Sequence, residues 1–157
     1  MSVIFSRSCE YGLQAVMYIA MESKDRKVMI REIAEKVNIP MFFLGKILQK
    51  LSKSGVLHSQ KGPNGGFALG DKADKITALR IVEVIDGLKF NTSCVTGFPK
   101  CSNDTPCPFH DEWKIIRGKL VAMLEGETIQ KLMEDAKSGK RVPFLNPEYF
   151  KEFKTSS

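Results

Sequence analysis

A chain of 157 residues with 43% hydrophobic residues carries enough apolar material for one packed domain with an appendage, which excludes a disordered or fibrous protein. No apolar run approaches the ~20 residues of a membrane span, and the start, Met-Ser-Val-Ile-Phe-Ser-Arg, lacks a signal peptide's apolar stretch, so the expectation is a soluble cytoplasmic protein with no membrane partner. The net charge of +6 is unevenly placed: residues 1–89 hold 14 Lys and Arg against 9 Asp and Glu, residues 90–157 hold 10 against 9, and positions 36–70 hold five lysines and no acid. A solvated helix face usually mixes both signs, whereas a one-signed face suits a polyanion.

Residues 6–22 read as a helix, with Cys9, Leu13, Val16 and Ala20 on one apolar stripe. Cys9 on that stripe reads as a small core hydrophobe, and Glu10 beside it as a surface acid. A short helix follows from Met29 to Val37, broken at Asn38-Ile39-Pro40 because the residue before proline leaves the helical region. A third helix runs from Pro40 to Ser54, burying Leu44, Ile47, Leu48 and Leu51, and Gly55 ends it. Its other face carries Met41, Phe42, Gly45, Lys46, Gln49, Lys50 and Lys53, while Phe43 is expected to pack in the core. Two short helices, a tight turn and a basic outer face predict a helix-turn-helix over about 29–54.

The hairpin of residues 56–69, with the tip Lys61-Gly62-Pro63-Asn64-Gly65-Gly66, then reads as a wing. Within this unit Lys46, Lys50 and Lys61 suit phosphates, Arg31 suits the backbone, and Pro40, Met41 and Phe42 lie where a recognition helix meets base edges. Ser59, Gly62, Pro63 and Asn64 complete the candidate DNA surface at the wing. A helix over residues 77–86 is capped by Thr77 and closed by Gly87. A long helix over about 111–125 places Trp113, Ile116, Leu120 and Leu124 on one stripe, an apolar surplus that predicts a dimerisation face and, through it, a palindromic operator. Gly126 is expected to interrupt before Thr128 caps a last helix through Ala136, and residues 138–157 form a tail.

Between these helices, over residues 88–110, lies a loop with the spacing Cys94-x6-Cys101-x5-Cys107-x2-His110. Turn formers separate these residues, so soft ligands converge in a segment that cannot be core. Thiolates with an imidazole suit zinc in a closed Cys₃His site or an iron–sulfur cluster, and the loop alone does not separate the two. No P-loop, dinucleotide fingerprint or nucleophile elbow is present, so no enzyme is expected.

The order helix, helix-turn-helix, Gly-Pro-Asn-Gly-Gly wing, helix, three-cysteine loop and long helix resembles the Rrf2 family of winged-helix transcription regulators over about residues 1–137. The matching segments include Cys9–Ala20, Phe43–Leu51, Gly62–Leu69 and Ile76–Gly87. The resemblance implies a mainly α fold with a small β-hairpin wing, a homodimer on double-stranded DNA, and a two-iron or four-iron cluster on Cys94, Cys101 and Cys107. In some members the fourth ligand is a histidine three residues past the last cysteine, where His110 stands; in others it is an acid on the first helix, where Glu10 stands. The chain departs from the family's usual spacing by one extra residue between Cys94 and Cys101. It also has Gly45 where some members carry an acidic base-reading residue. The expected function is operator binding gated by a cluster that senses iron, redox state or nitric oxide; the alternatives are a zinc-stabilised winged helix and a cluster-free thiol sensor.

Overall fold

A computed structural model describes residues 4–23 and 26–138. The first helix, α1 (Arg7–Glu22), starts where the Ser6 hydroxyl accepts from the Cys9 amide at 3.0 Å. Cys9, Val16 and Ala20 are buried as their spacing predicts, and Leu13 packs on the edge of the same core. Gly12 lets α1 come close to its neighbours: a Cβ there would lie 2.1 Å from Ile85 Cδ1 and 3.3 Å from Ile47 Cγ2.

Helix α2 (Ile30–Val37) buries Ile33 and Val37 and stops at Asn38, whose φ of 56° is left-handed and suits an asparagine. Pro40 precedes α3 (Met41–Lys53), which buries Leu44, Ile47, Leu48 and Leu51. Phe43, expected in the core, is exposed instead. At about 100° per residue it points roughly 90° away from the centre of the arc those four leucine and isoleucine side chains fill.

The wing is slightly shorter than read from the sequence. Strand β1 (Leu57–Gln60) pairs antiparallel with β2 (Gly66–Leu69), and Val56 is buried just before it. Val28 adds a third rung by exchanging two 2.8 Å hydrogen bonds with Phe67. Gly66 has to be glycine there, because its φ is 144° and a Cβ would sit 2.7 Å from the Val28 carbonyl oxygen.

Helix α4 (Ala78–Asp86) is capped by Thr77, whose hydroxyl accepts from the Arg80 amide at 3.1 Å, and ends at Gly87 with φ 73°. A one-turn helix, α5 (Lys89–Thr92), interrupts what was expected to be loop. Helix α6 (His110–Gly126) begins one residue earlier than expected, at His110, and runs through Gly126 rather than breaking there. Helix α7 (Ile129–Lys137) is capped by Thr128. The starts of α4 and α7 are bound together by Ala78 N–H to Glu127 O and Ile129 N–H to Ile76 O, each 2.9 Å. The tail from residue 139 onward lies outside the described residues.

The core gathers α1 to α4, β1 and the inner sides of α6 and α7. Ile19, Ile33, Leu44, Leu48, Leu51, Ile81 and Ile129 are fully buried, each contributing ~1.5–3 kcal/mol by leaving water. None of residues 88–110 is buried. Among the described residues no helix is long and apolar enough to cross a membrane.

Candidate metal centre and nucleic-acid interface

The cysteine loop returns on itself through short turns. Gly97 N–H binds Cys94 O at 3.1 Å with Gly97 at φ 78°, and His110 N–H binds Cys107 O at 3.0 Å. These turns bring the Sγ atoms of Cys94, Cys101 and Cys107 within 4.8 Å of one another, with Cys94 and Cys107 at 3.6 Å. A tetrahedral ion with ~2.3 Å metal–sulfur bonds sets its thiolates about 3.8 Å apart, so the donor set fits a soft metal.

His110 enters from the first residue of α6. Its Nδ1 lies 3.2 Å from Cys101 Sγ, and its Nε2 lies 3.0 Å from Asn103 Oδ1. With Nε2–H donating to Asn103, the Nδ1 lone pair faces the thiols, the second-shell arrangement that orients a metal-binding imidazole. His110 does not come within 4.8 Å of all three sulfurs, and Glu10 is not part of the group. Glu10 sits half-buried in the first turn of α1. That end of α1 is tied to the loop's stem: the Ser6 amide donates to Asp86 at 2.8 Å, and Phe5 meets Phe90 edge to face.

The thiols differ electrically. The Thr96 hydroxyl, 3.0 Å from Cys94 Sγ, together with the Thr96 amide pulls the Cys94 thiol down to about 6. The Cys107 amide donates to Cys101 Sγ and favours its thiolate, but partial desolvation and the neighbouring Cys107 and Cys94 thiols outweigh it, so Cys101 sits above the usual range. Cys9, in the core, is pushed up to about 12 by burial first and then by Asp86 and Glu10, which suits an inert thiol. Beside the three loop cysteines lies a cavity of about 340 Å³, also lined by His110, Lys114 and Arg117. Cations beside thiolates offset the negative charge a thiolate-bound centre accumulates. Thr96 and Asn103 were missed in the sequence; the only signal was their proximity, two residues past Cys94 and two past Cys101.

The candidate DNA surface is continuous with the outer side of α3. Arg31, Pro40, Met41, Phe42 and Lys46 are exposed, as are Ser59, Lys61, Gly62, Pro63 and Asn64 on the wing. Lys50 is exposed too, but its ammonium is already engaged within the chain, donating to the Ile85 carbonyl at 2.9 Å at the end of α4. An ion-pair cluster that the sequence did not suggest holds α1, α2 and the segment between them: Arg26 grips Glu32 with two nitrogens and Glu22 with one, and Tyr18 donates to Glu32. The Arg26 contact first, with the Tyr18 hydroxyl, lowers the Glu32 carboxyl.

On α6 the expected apolar stripe divides. Leu124 is buried in the chain's own core and Leu120 packs on it, because that side of α6 faces α4. Trp113 is half-buried and donates from its indole to the Ser93 carbonyl at 2.9 Å, bracing the loop's start. The outward side carries Ile115, Ile116 and Met123, all exposed.

A wing rooted on a helix-turn-helix, a lysine-rich outer face and a three-cysteine loop define a winged-helix regulator with a thiol site. Residues 5–135 match the family described as Rrf2, iron-dependent transcriptional regulator. The chain belongs to the Rrf2 family, whose members are DNA-binding transcription regulators and not enzymes. It is 40% identical over 134 residues to a helix-turn-helix protein of Aquifex aeolicus described as a candidate transcriptional regulator, covering 83% of this chain and 92% of the relative. It is 29% identical over 125 residues to the transcriptional regulator IscR of Aliivibrio salmonicida, covering 80% and 74%. Among solved structures, the fold is shared with CymR, the global cysteine regulator of B. subtilis (TM-score 0.72, 24% identity, 83% and 96% covered), and with T. potens IscR (TM-score 0.71, 21% identity, 90% and 93% covered).

Proposed function

We propose that this Rrf2 regulator is a homodimer whose operator binding is gated through the Cys94–His110 loop, with Cys94, Cys101, Cys107 and His110 holding an iron–sulfur cluster. The carrying observation is that three thiols and an imidazole line one cavity beside Lys114 and Arg117, in a chain of an iron-dependent family. Such a cluster, when bound, supplies a centre sensitive to iron supply, oxidants and nitric oxide. The chain's own part is mechanical. The loop joins α5 to α6, and α6 presents Ile115, Ile116 and Met123 to a second copy. Tightening the loop fixes where α6 stands, and with it the spacing of two α3 helices on a palindromic operator; loosening it relaxes that spacing. Arg31, Lys46 and Lys61 neutralise phosphates, and the start of α3 and Asn64 meet the grooves. His110 is preferred to Glu10 as the fourth ligand because its Nδ1 already lies against Cys101.

A second reading has its own observation. The 3.6 Å between Cys94 and Cys107 is the spacing of two thiolates on one tetrahedral ion, which favours structural zinc. Purification without air, with an absorption spectrum and iron, sulfide and zinc analysis, separates the readings. Brown protein with iron and sulfide is expected; a colourless chain with one zinc overturns the cluster. A metal-free chain leaves thiol sensing, with Cys94 the reactive group. For the gating itself, Cys101→Ala is expected to shift operator affinity by about five- to hundredfold at fixed salt, and unchanged affinity sinks it.

A further inference from the structure

The first turn of α3 turns three consecutive large apolar side chains to solvent: Met41 is 49% exposed, Phe42 72% and Phe43 55%. The rings of Phe42 and Phe43 meet edge to face with centroids 6.1 Å apart, and Lys46 Nζ lies 4.4 Å over the Phe42 ring. So Phe43, which is not needed in the core, buttresses Phe42. No side chain from Pro40 to Gly45 carries a strong hydrogen-bond donor or acceptor. The first polar side chain, Lys46, is drawn over the Phe42 ring, and Gln49, the first side-chain amide, lies ~12 Å along the axis from Met41.

The start of a recognition helix is the part that meets base edges in the major groove. The apolar group displayed there is the 5-methyl of thymine. The surrounding stretch, positions 36–70, has lysines and no acids, so a DNA duplex is the partner its charge admits. We infer that the first turn of α3 reads its operator half-site through thymine 5-methyl groups, packed against Met41 and Phe42 with Phe43 bracing the ring, rather than through hydrogen bonds to base edges. The inference rests on the reading of α3 as the recognition helix and adds which chemical group is recognised. It also gives the acid-free position at Gly45 a meaning: this helix start discriminates by shape and methyl contact, not by an acidic base reader.

The test begins with selection of bound sequences from a randomised duplex library by the full chain, purified without air. The enriched site is then resynthesised with deoxyuridine for thymine at one position at a time, which removes the methyl and leaves the pairing edge intact. Affinity is expected to fall about four-fold for each contacted methyl, the equivalent of ~0.8 kcal/mol. In Phe42→Ala, whose truncated ring is outside the core, the thymine and deoxyuridine sites are expected to bind alike at the position that the ring covers, and in Met41→Ala at the position that the thioether covers. Equal affinities of both sites for the unaltered chain overturn the inference while leaving DNA recognition intact. Full discrimination surviving in both Phe42→Ala and Met41→Ala overturns it too, since the methyl effect would then come from the duplex. If selection enriches no sequence at all, the recognition-helix reading falls and the methyl inference falls with it.

Discussion

The helical head and the cysteine loop are stabilised by different physics. In the head, α1 to α4 bury isoleucines, leucines and valines in one cluster, and Cys9 among them behaves as another apolar group. Residues 88–110 hold no fully buried side chain; Phe90 packs on the edge of the core, and the order of the rest comes from turns, hydroxyl caps and hydrogen bonds to sulfur. A segment without a core gains folding free energy from whatever ligand its side chains share. The contrast teaches that the same residue type, cysteine, fills a core in one region and in the other stands in a group of three thiols that could share a soft metal.

Removing the ligand is the harshest test of that contrast. Chelation under reducing conditions is expected to abolish amide protection across 93–110, read by hydrogen exchange, while the amides of α1 and α3 stay protected. Equal loss in both regions would show that they fold as one unit. From the other side, Leu48→Ala is expected to cost ~2–5 kcal/mol of head stability in denaturant melts. Metal bound per folded chain should not change.

Thiol reactivity sharpens the comparison further. In the metal-free chain Cys94 is pulled down to about 6 and Cys9 pushed up to about 12. Near neutral pH, Cys94 is mostly thiolate and Cys9 almost wholly thiol, so iodoacetamide is expected to modify Cys94 faster by on the order of a hundredfold, after allowing for the lower nucleophilicity of the more acidic thiol. The sign follows from the lowered value: reaction at Cys94 should slow about tenfold on going from near pH 7 to near pH 5, as the thiolate takes up its proton. Mass spectrometry of the labelled peptides reads both. The smallest effect is expected at a joint between helices: Thr128→Ala removes the cap on α7, worth ~1 kcal/mol, and should lower the thermal midpoint by a few degrees without altering metal content.

Much of the head was legible because burial writes a period into the sequence. Leu44, Ile47, Leu48 and Leu51 fall on the face their spacing marks, and Thr77, Gly87 and Thr128 punctuate helices where their chemistry requires. The errors lie where one face has two claimants. Periodicity on α6 shows an apolar stripe but cannot apportion it, and Leu124 went to the chain's own core while Ile115 and Ile116 faced out. Phe43 was misplaced because a large aromatic ring is normally buried; here it stands in a turn that is apolar outward. In the loop, spacing marked the three cysteines and His110, but the partners that tune them, Thr96 and Asn103, occupy no periodic position. The one-turn α5 is too short to carry a period at all.

The bond from Lys50 to the Ile85 carbonyl places α3, the proposed recognition helix, in direct touch with the end of α4, two residues before the glycine from which the cysteine loop departs. Communication along such a joint cannot run one way. Whatever factor the state of the loop imposes on operator affinity, the operator imposes on the affinity of the loop for its ligand. Under the proposed gating, a promoter occupied by this regulator would act as a reservoir or a drain for that ligand, and copies bound to DNA would respond to scarcity at a different threshold from copies that are free.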